Sequence, residues 1–274
     1  MSADLLGLAG KHAIVWGGGF GMGERTAIRL AEAGARVAVV DMVAERAQAV
    51  AGAIGGDAVP IVADVTDEAS VHAALAEAEG TLGPVDVMAT VIGVGVWDQV
   101  IDMSLADFNK SILLNLTSFF LPAQAVARSL IRNGKPGAIA CVSSVSGLTA
   151  APNHAGYGAA KAGLINLVRT MADEWGHHGI RVNAAMPGSA ATPRLVLNEE
   201  GRAAMNAAMK SKIPLGRAAD PDELAKALLF LLSDLASYVT GHNLHVDGGW
   251  TSTFLMQAKG TGGPTQASVV NWPD

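Results

Sequence analysis

Residues 12–35 read "HAIVWGGGFGMGERTAIRLAEAGA", and this stretch decides the fold. Four apolar residues, Ala13 to Trp16, run into five glycines between Gly17 and Gly23, and "RTAIRLAEAGA" then reads as a helix. A strand that turns through glycines into a helix is the first βα unit of a doubly wound sheet. Its missing side chains permit unusual φ angles and tight helix–strand contact. They also let a ligand pyrophosphate approach the helix N-terminus. Gly17, Gly21 and Gly23 are spaced G-x-x-x-G-x-G, and alone such a run is also compatible with a plain tight turn.

Downstream, the same alternation continues. After "HAIVW" comes a helix over Gly21–Ala33, then "RVAVVD", a helix over Val43–Ala53 and "AVPIVAD". A third helix starts near Asp67, and "VDVMATVIG" is the fourth strand. One long helix is predicted over Ala106–Arg132, followed by "GAIACVSS" and a helix over Ala155–Trp175. "IRVNAAMPG" and "NLHVDGG" are the sixth and seventh strands. Near-continuous apolar strands separated by helices predict an α/β fold: a seven-stranded parallel sheet, doubly wound and covered on both faces. No repeat or linker divides it, so one domain is expected over residues 1–254, with a substrate lid at about 189–217 containing a short helix. The tail, 255–274, reads as loop, either mobile or at a subunit interface.

The chain has 274 residues, half of them apolar, and a net charge of −6 with no basic block. That suffices for a large core and argues against nucleic acid as a partner. Cys141 is the single cysteine and sits in an apolar run, which fits a reducing compartment. "MSADLLGLAGK" carries no basic leader, and no apolar run reaches the roughly 18 residues of a spanning helix, so a cytoplasmic location and no membrane partner are expected. Neither the seven histidines nor Cys141 has metal-ligand spacing, and no metal is expected.

Two constellations carry chemistry. Asp41 ends the second strand, where an acid binds both ribose hydroxyls of NAD and repels a 2′-phosphate. No Lys or Arg lies among the glycines and Met42-Val43 follow Asp41, so NAD(H) is expected over NADP(H). In "SSVSGLTAAPNHAGYGAAK", Tyr157 and Lys161 are four apart and share a helix face. An ammonium there favours phenolate and is expected to lower the tyrosine pKa towards a useful value. Such a tyrosine exchanges a proton with a carbonyl or alcohol oxygen as hydride moves. Ser144, thirteen residues earlier at a strand end, is placed to hold the same oxygen.

From Leu8 to Gly249 the chain strongly resembles the short-chain dehydrogenase/reductase family. The resemblance rests on the glycine turn, Asp41, "DVTD" at 64–67, Asn115, Ser144, Tyr157-Gly-Ala-Ala-Lys161, Pro187-Gly188 with Thr192, and "VDGG" at 246–249. It implies Tyr157 as acid/base, Lys161 on the nicotinamide ribose, Ser144 on the substrate oxygen and Asn115 holding a water in a proton relay. It also implies a cofactor site made by Gly17, Gly21, Met22, Gly23, Asp41, Asp64, Val65, Gly93, Tyr157, Lys161, Pro187, Gly188 and Thr192. Asp64 and Val65 would meet adenine, and Pro187, Gly188 and Thr192 the nicotinamide. A homotetramer packed through the helices starting near Ala106 and Ala155 is implied as well. The three-residue gap between Tyr157 and Lys161 favours carbonyl/alcohol chemistry over enoyl reduction.

Two positions depart from the family. Trp16 replaces the usual threonine before the first glycine, and Thr90-Val91-Ile92-Gly93 replaces Asn-Asn-Ala-Gly. An apolar pair in place of a polar one makes Trp16 a packing residue; the alternative is a distorted turn with impaired cofactor binding. The substrate pocket is expected to draw on Trp97, Ser146, His154 and Trp250, with Arg194 as a further candidate. The Leu, Met and Ala of the lid suggest an apolar, cyclic or aromatic secondary alcohol or ketone. Three functions remain distinct: an NAD-dependent alcohol dehydrogenase or ketone reductase acting on a small molecule, a 3-oxoacyl-thioester reductase, and a non-catalytic nucleotide-binding protein of the same fold.

Overall fold

A computed structural model describes residues 4–193 and 198–252. The tail at 255–274, Arg194 and the neighbouring residues to 197 lie outside the described residues. Seven strands form one sheet: β1 (His12–Trp16), β2 (Arg36–Asp41), β3 (Val59–Val62), β4 (Val87–Thr90), β5 (Gly137–Val142), β6 (Ile180–Pro187) and β7 (Asn243–Val246). Their order is β3-β2-β1-β4-β5-β6-β7, and every neighbouring pair is parallel. The order reverses between β1 and β4, so the C-terminal ends of those strands open a crevice of the kind that takes ligands in such sheets.

Eight helices accompany them among the described residues: α1 (Met22–Glu32), α2 (Ala44–Ile54), α3 (Glu68–Leu82), α4 (Leu105–Ile112), α5 (Ser118–Arg132), α6 (Ala155–Gly176), α7 (Glu199–Met209) and α8 (Pro221–Leu232). Strand side chains alternate between two cores. Ala13 and Val15 face Leu30 of α1, Val50 of α2 and Leu228 of α8. Ile14 and Trp16 face Val71 of α3, Phe119 of α5 and Leu164 of α6. Each such aliphatic or aromatic side chain, fully buried, contributes about 1.5–3 kcal/mol of transfer free energy.

The predicted elements appear with shifted ends, since terminal residues of strands and helices stop pairing where the chain turns. Two differences have clear causes. The helix predicted over Ala106–Arg132 is divided by a π-turn at Leu113–Thr117. There the Asn115 amide donates to Ser111 O (2.8 Å), drawing a carbonyl out of the helical ladder, and Pro122 has no N–H to return to Ser118. Helix α8 went unread in the sequence, although its start carries a capping box: the Asp220 side chain accepts from the helix backbone, and Glu223 accepts from Asp220 N (2.8 Å). Residues 189–217 contain α7, the short helix expected there. Among the described residues no helix is long and apolar enough to cross a membrane.

Candidate active site

At the end of β1, Gly17 and Gly21 take φ angles of 74° and 61°. A Cβ on Gly23 would lie 1.9 Å from Gly17 O, so the first turn of α1 packs onto the loop only because residue 23 has no side chain. No side chain caps α1, leaving its N-terminal N–H groups to an anion. Met22, the first helical residue, is half-buried. Asp41 is buried, and its two carboxylate oxygens accept from Gly19 N (3.1 Å) and Val43 N (3.0 Å). A carboxylate has about four acceptor positions, so each oxygen keeps capacity for a ribose hydroxyl. The cradle and the acid fit a dinucleotide.

Asp64 follows β3 and is occupied by its own turn: Oδ1 accepts from Thr66 N (2.8 Å) and Thr66 Oγ1 (2.6 Å), which holds the carboxyl below its ordinary range. Val65 packs on the core beside it. Gly93 lies between the next two groups, since a Cβ there would sit 3.7 Å from Asn115 Oδ1 and 3.8 Å from Lys161 Nζ. Asn115, carried inward by the π-turn, accepts from Val94 N (3.0 Å) and donates to Val94 O (2.8 Å).

Ser144 ends the β5 segment. Its Oγ accepts from Ser146 N (3.1 Å), and its side chain lies close enough to the Tyr157 phenol to favour the ionised form. Tyr157 and Lys161 share one face of α6, as their spacing predicts. Lys161 is buried and donates to Val142 O (2.8 Å) and Ile92 O (3.4 Å), with Nζ 5.5 Å from the Tyr157 ring centroid. Burial pushes its ammonium down to about 8. The expected lowering of the tyrosine pKa is not what this geometry produces. Burial pushes the Tyr157 phenol up, and the neighbouring Ser144 opposes that only in part. The physical reason is that burial disfavours the phenolate while the lysine ammonium is engaged by two carbonyls.

Beyond β6, Pro187 pairs with Val246, and Thr192 N donates to Ala190 O (2.9 Å). The loop then reaches the glycine turn, where Pro193 Cδ is 3.5 Å from a Cβ built on Gly21. Trp250 packs on Val145, Ile165 and Met186, with its ring edge 3.0 Å from a Cβ built on Gly188. Trp97 stacks on one face of His154, and the other face of His154 stacks on Tyr157. His154 Nε2 is buried and has no hydrogen-bond partner, facing the Gly95 backbone.

Comparison with known proteins decides the family. A family model described as "Enoyl-(Acyl carrier protein) reductase" matches residues 18–251. A 2,5-dichloro-2,5-cyclohexadiene-1,4-diol dehydrogenase of Sphingobium indicum is 38% identical over 89% of this chain and 98% of the relative. The chain belongs to the short-chain dehydrogenase/reductase family. A D-threitol dehydrogenase of Mycolicibacterium smegmatis is also 38% identical, over 89% of this chain and 94% of its own. Among solved structures, a 7α-hydroxysteroid dehydrogenase complexed with NADH and 7-oxo glycochenodeoxycholic acid matches with a TM-score of 0.83, 36% identity, and coverage of 91% of this chain and 98% of that one.

In this short-chain dehydrogenase/reductase, sequence reading missed Arg46. It lies in the first turn of α2, its Cβ 2.7 Å from a Cβ built on Gly19 and its guanidinium 5.0 Å from the Phe20 ring centroid. No Lys or Arg lies among the glycines themselves, but Arg46 brings a cation beside the turn that they form. Arg46 is five positions after Asp41 in the chain, and only the βα turn folds it back. Among the described residues no group of three or more His, Cys, Asp or Glu side chains is placed to hold a metal ion.

Proposed function

We propose that this chain transfers a hydride between NAD(H) and an apolar, cyclic or aromatic secondary alcohol or ketone, working as an alcohol dehydrogenase with Tyr157 as general acid–base. The observation that carries this is Tyr157 set beside the buried Lys161, with Nζ 5.5 Å from its ring centroid, and Ser144 next to the same phenol. A substrate oxygen sits between the two hydroxyls: Ser144 holds it, and Tyr157 removes its proton in oxidation or supplies one in reduction. Lys161 draws negative charge towards the phenol when it turns from its carbonyls to the nicotinamide ribose. Asn115 holds the Val94 backbone and supports a water relay next to Lys161. When bound, the nicotinamide supplies the hydride acceptor or donor.

The pyrophosphate site is the uncapped start of α1 with Gly17, Gly21, Met22 and Gly23. Asp41 takes the adenosine ribose hydroxyls and disfavours a 2′-phosphate. Asp64 and Val65 flank the adenine. Gly93, Pro187, Gly188 and Thr192 line the nicotinamide side, with residues 189–217 as the lid of a catalytic domain ending near residue 254. The cyclic preference draws support from the cyclohexadienediol and steroid dehydrogenases among the relatives. A homotetramer in the cytoplasm completes the proposal, built through α4–α5 and α6. A groove of about 350 Å³ lined by Leu116, Phe120 and Leu167 runs along that face. A monomeric mass in solution would refute it.

The test is calorimetric titration with NAD and NADP, then NADH absorbance over a panel of cyclic, aromatic and polyol secondary alcohols. Turnover of a cyclic alcohol that disappears in Tyr157→Phe supports the proposal. Turnover of polyols alone redirects the substrate class, and turnover that survives Tyr157→Phe rejects the role of Tyr157.

A further inference from the structure

Three rings stand in a row at the mouth of the site. Trp97 and His154 have centroids 3.9 Å apart with planes at 16°, and His154 and Tyr157 are 4.2 Å apart at 6°. The imidazole is therefore sandwiched, one face on the proposed acid–base and the other on an indole whose residue is 70% exposed.

Several separate restraints hold it there. Asp98 pairs with His154 as an isolated parallel bridge, and Asp98 N donates to Asn153 O (3.0 Å). Asn153 is the single non-glycine residue with positive φ (58°) among the described residues, a conformation asparagine tolerates better than most. It turns the chain so that His154 becomes the residue before α6. At the ring edge, Nε2 lies against Gly95, where a Cβ would be 2.0 Å away. Any side chain at residue 95 would push the imidazole off the tyrosine.

We propose that His154 is a positioning residue for Tyr157: clamped by Gly95 and Trp97, its imidazole fixes the plane of the phenol ring and keeps water off that face. This rests on the acid–base role of Tyr157 given above. The hydroxyl end of the phenol lies next to Ser144, but a neighbour at that end alone leaves the ring free to rotate about its own axis. A flat plate at van der Waals distance removes that freedom, and proton transfer is sensitive to displacements of about 1 Å. Burial pushes the His154 pKa below its ordinary value, so the plate is neutral near pH 7.

Tyr157 and Tyr238 are the two tyrosines of the chain, and Tyr238 is fully exposed. In the full chain labelled with ¹³C in its tyrosine rings, NMR thus reads Tyr157 without any substrate. Its ring signals are expected to be shifted upfield from those of Tyr238 by the stacked imidazole. His154→Ala should move them towards Tyr238, while His154→Phe, which keeps a flat ring, should preserve the shift. Gly95→Ala should reproduce His154→Ala, and adding Gly95→Ala to His154→Ala should change nothing further, because the collision is gone. Signals unmoved in His154→Ala, or additive effects of the two substitutions, would overturn the clamp.

With NAD and the secondary alcohol identified in the panel, His154→Ala should lower kcat about tenfold or more, leaving NAD affinity by calorimetry unchanged. An unchanged kcat alongside moved signals would overturn the positioning role. Activity in Tyr157→Phe would instead overturn the acid–base assignment while leaving the ring signals as expected, so the two failures are distinguishable.

Discussion

Asn115 holds both backbone polar atoms of Val94, accepting from its N–H at 3.0 Å and donating to its carbonyl at 2.8 Å. This contact ties the loop after β4 to the π-turn, with Gly93 pressed between Asn115 and Lys161. Asn115→Leu leaves those groups and Ser111 O without partners. A buried polar group left unpaired costs about 1–3 kcal/mol, so a drop of that size in unfolding free energy is expected from the urea midpoint. Turnover should fall further than stability accounts for, because the segment beside Lys161 loosens.

Trp16 is fully buried among Ile14, Val40 and Met88. Trp16→Thr opens a cavity and should cost about 3–5 kcal/mol, again read from denaturant midpoints. NAD affinity should be unchanged or weaker. Tighter binding would mean that the indole distorts the glycine turn.

Trp16 and Thr90 are register partners, yet Trp16 Nε1 and Thr90 Oγ1 are both buried without a hydrogen-bond partner. A lone buried hydroxyl is a liability that an isosteric methyl removes. Thr90→Val is expected to leave stability unchanged or raise it by about 1 kcal/mol. A clear loss would show that the hydroxyl has a partner, such as an internal water.

In the proposed cofactor site, Asp41 and Arg46 are expected to set opposite preferences at the ribose end. The carboxylate repels a 2′-phosphate, and the guanidinium over Phe20 attracts one. In calorimetry NAD should bind more tightly than NADP. Asp41→Asn, which removes the charge and keeps one acceptor oxygen for one of the two loop N–H groups, should tighten NADP about tenfold, equivalent to roughly 1.4 kcal/mol. Arg46→Ala should weaken NADP while changing NAD little. An equal loss for both cofactors would mean that Arg46 acts only through the shape of the turn.

Lys161 carries a pH signature. Its ammonium is held at about 8 against an ordinary 10.5. Between these values the unfolded chain keeps a proton that the folded chain has lost, so stability from this group rises with pH by up to about 1.4 kcal/mol per unit. Cys141, pushed by burial to about 12 from 9, works the other way above pH 9, as does Tyr157 above about pH 10. The window from pH 8 to 9 therefore isolates the lysine. Urea midpoints of the wild type should rise across it, and those of Lys161→Met should stay flat.

Strand and helix positions were legible in the chain because apolar periodicity and glycine turns are local signals, and each side chain's face follows from the backbone repeat. The Tyr157–Lys161 face was legible for the same reason: a four-residue spacing on a helix leaves no other arrangement. Helix α8 was also locally encoded, in Asp220, Pro221 and Glu223. What depended on tertiary structure were contacts between residues distant in the chain. The π-turn that carries Asn115 inward joins a local side chain–backbone bond to a loop from β4. Arg46 reaches Phe20 only across the βα turn, and Lys161 is engaged by carbonyls of β5 and of the loop after β4. The His154 plate requires two segments to converge, the loop carrying Gly95 and Trp97 and the start of α6 carrying Tyr157. Periodicity carries no information about such meetings, because burial and hydrogen-bond competition are settled only when the segments pack together.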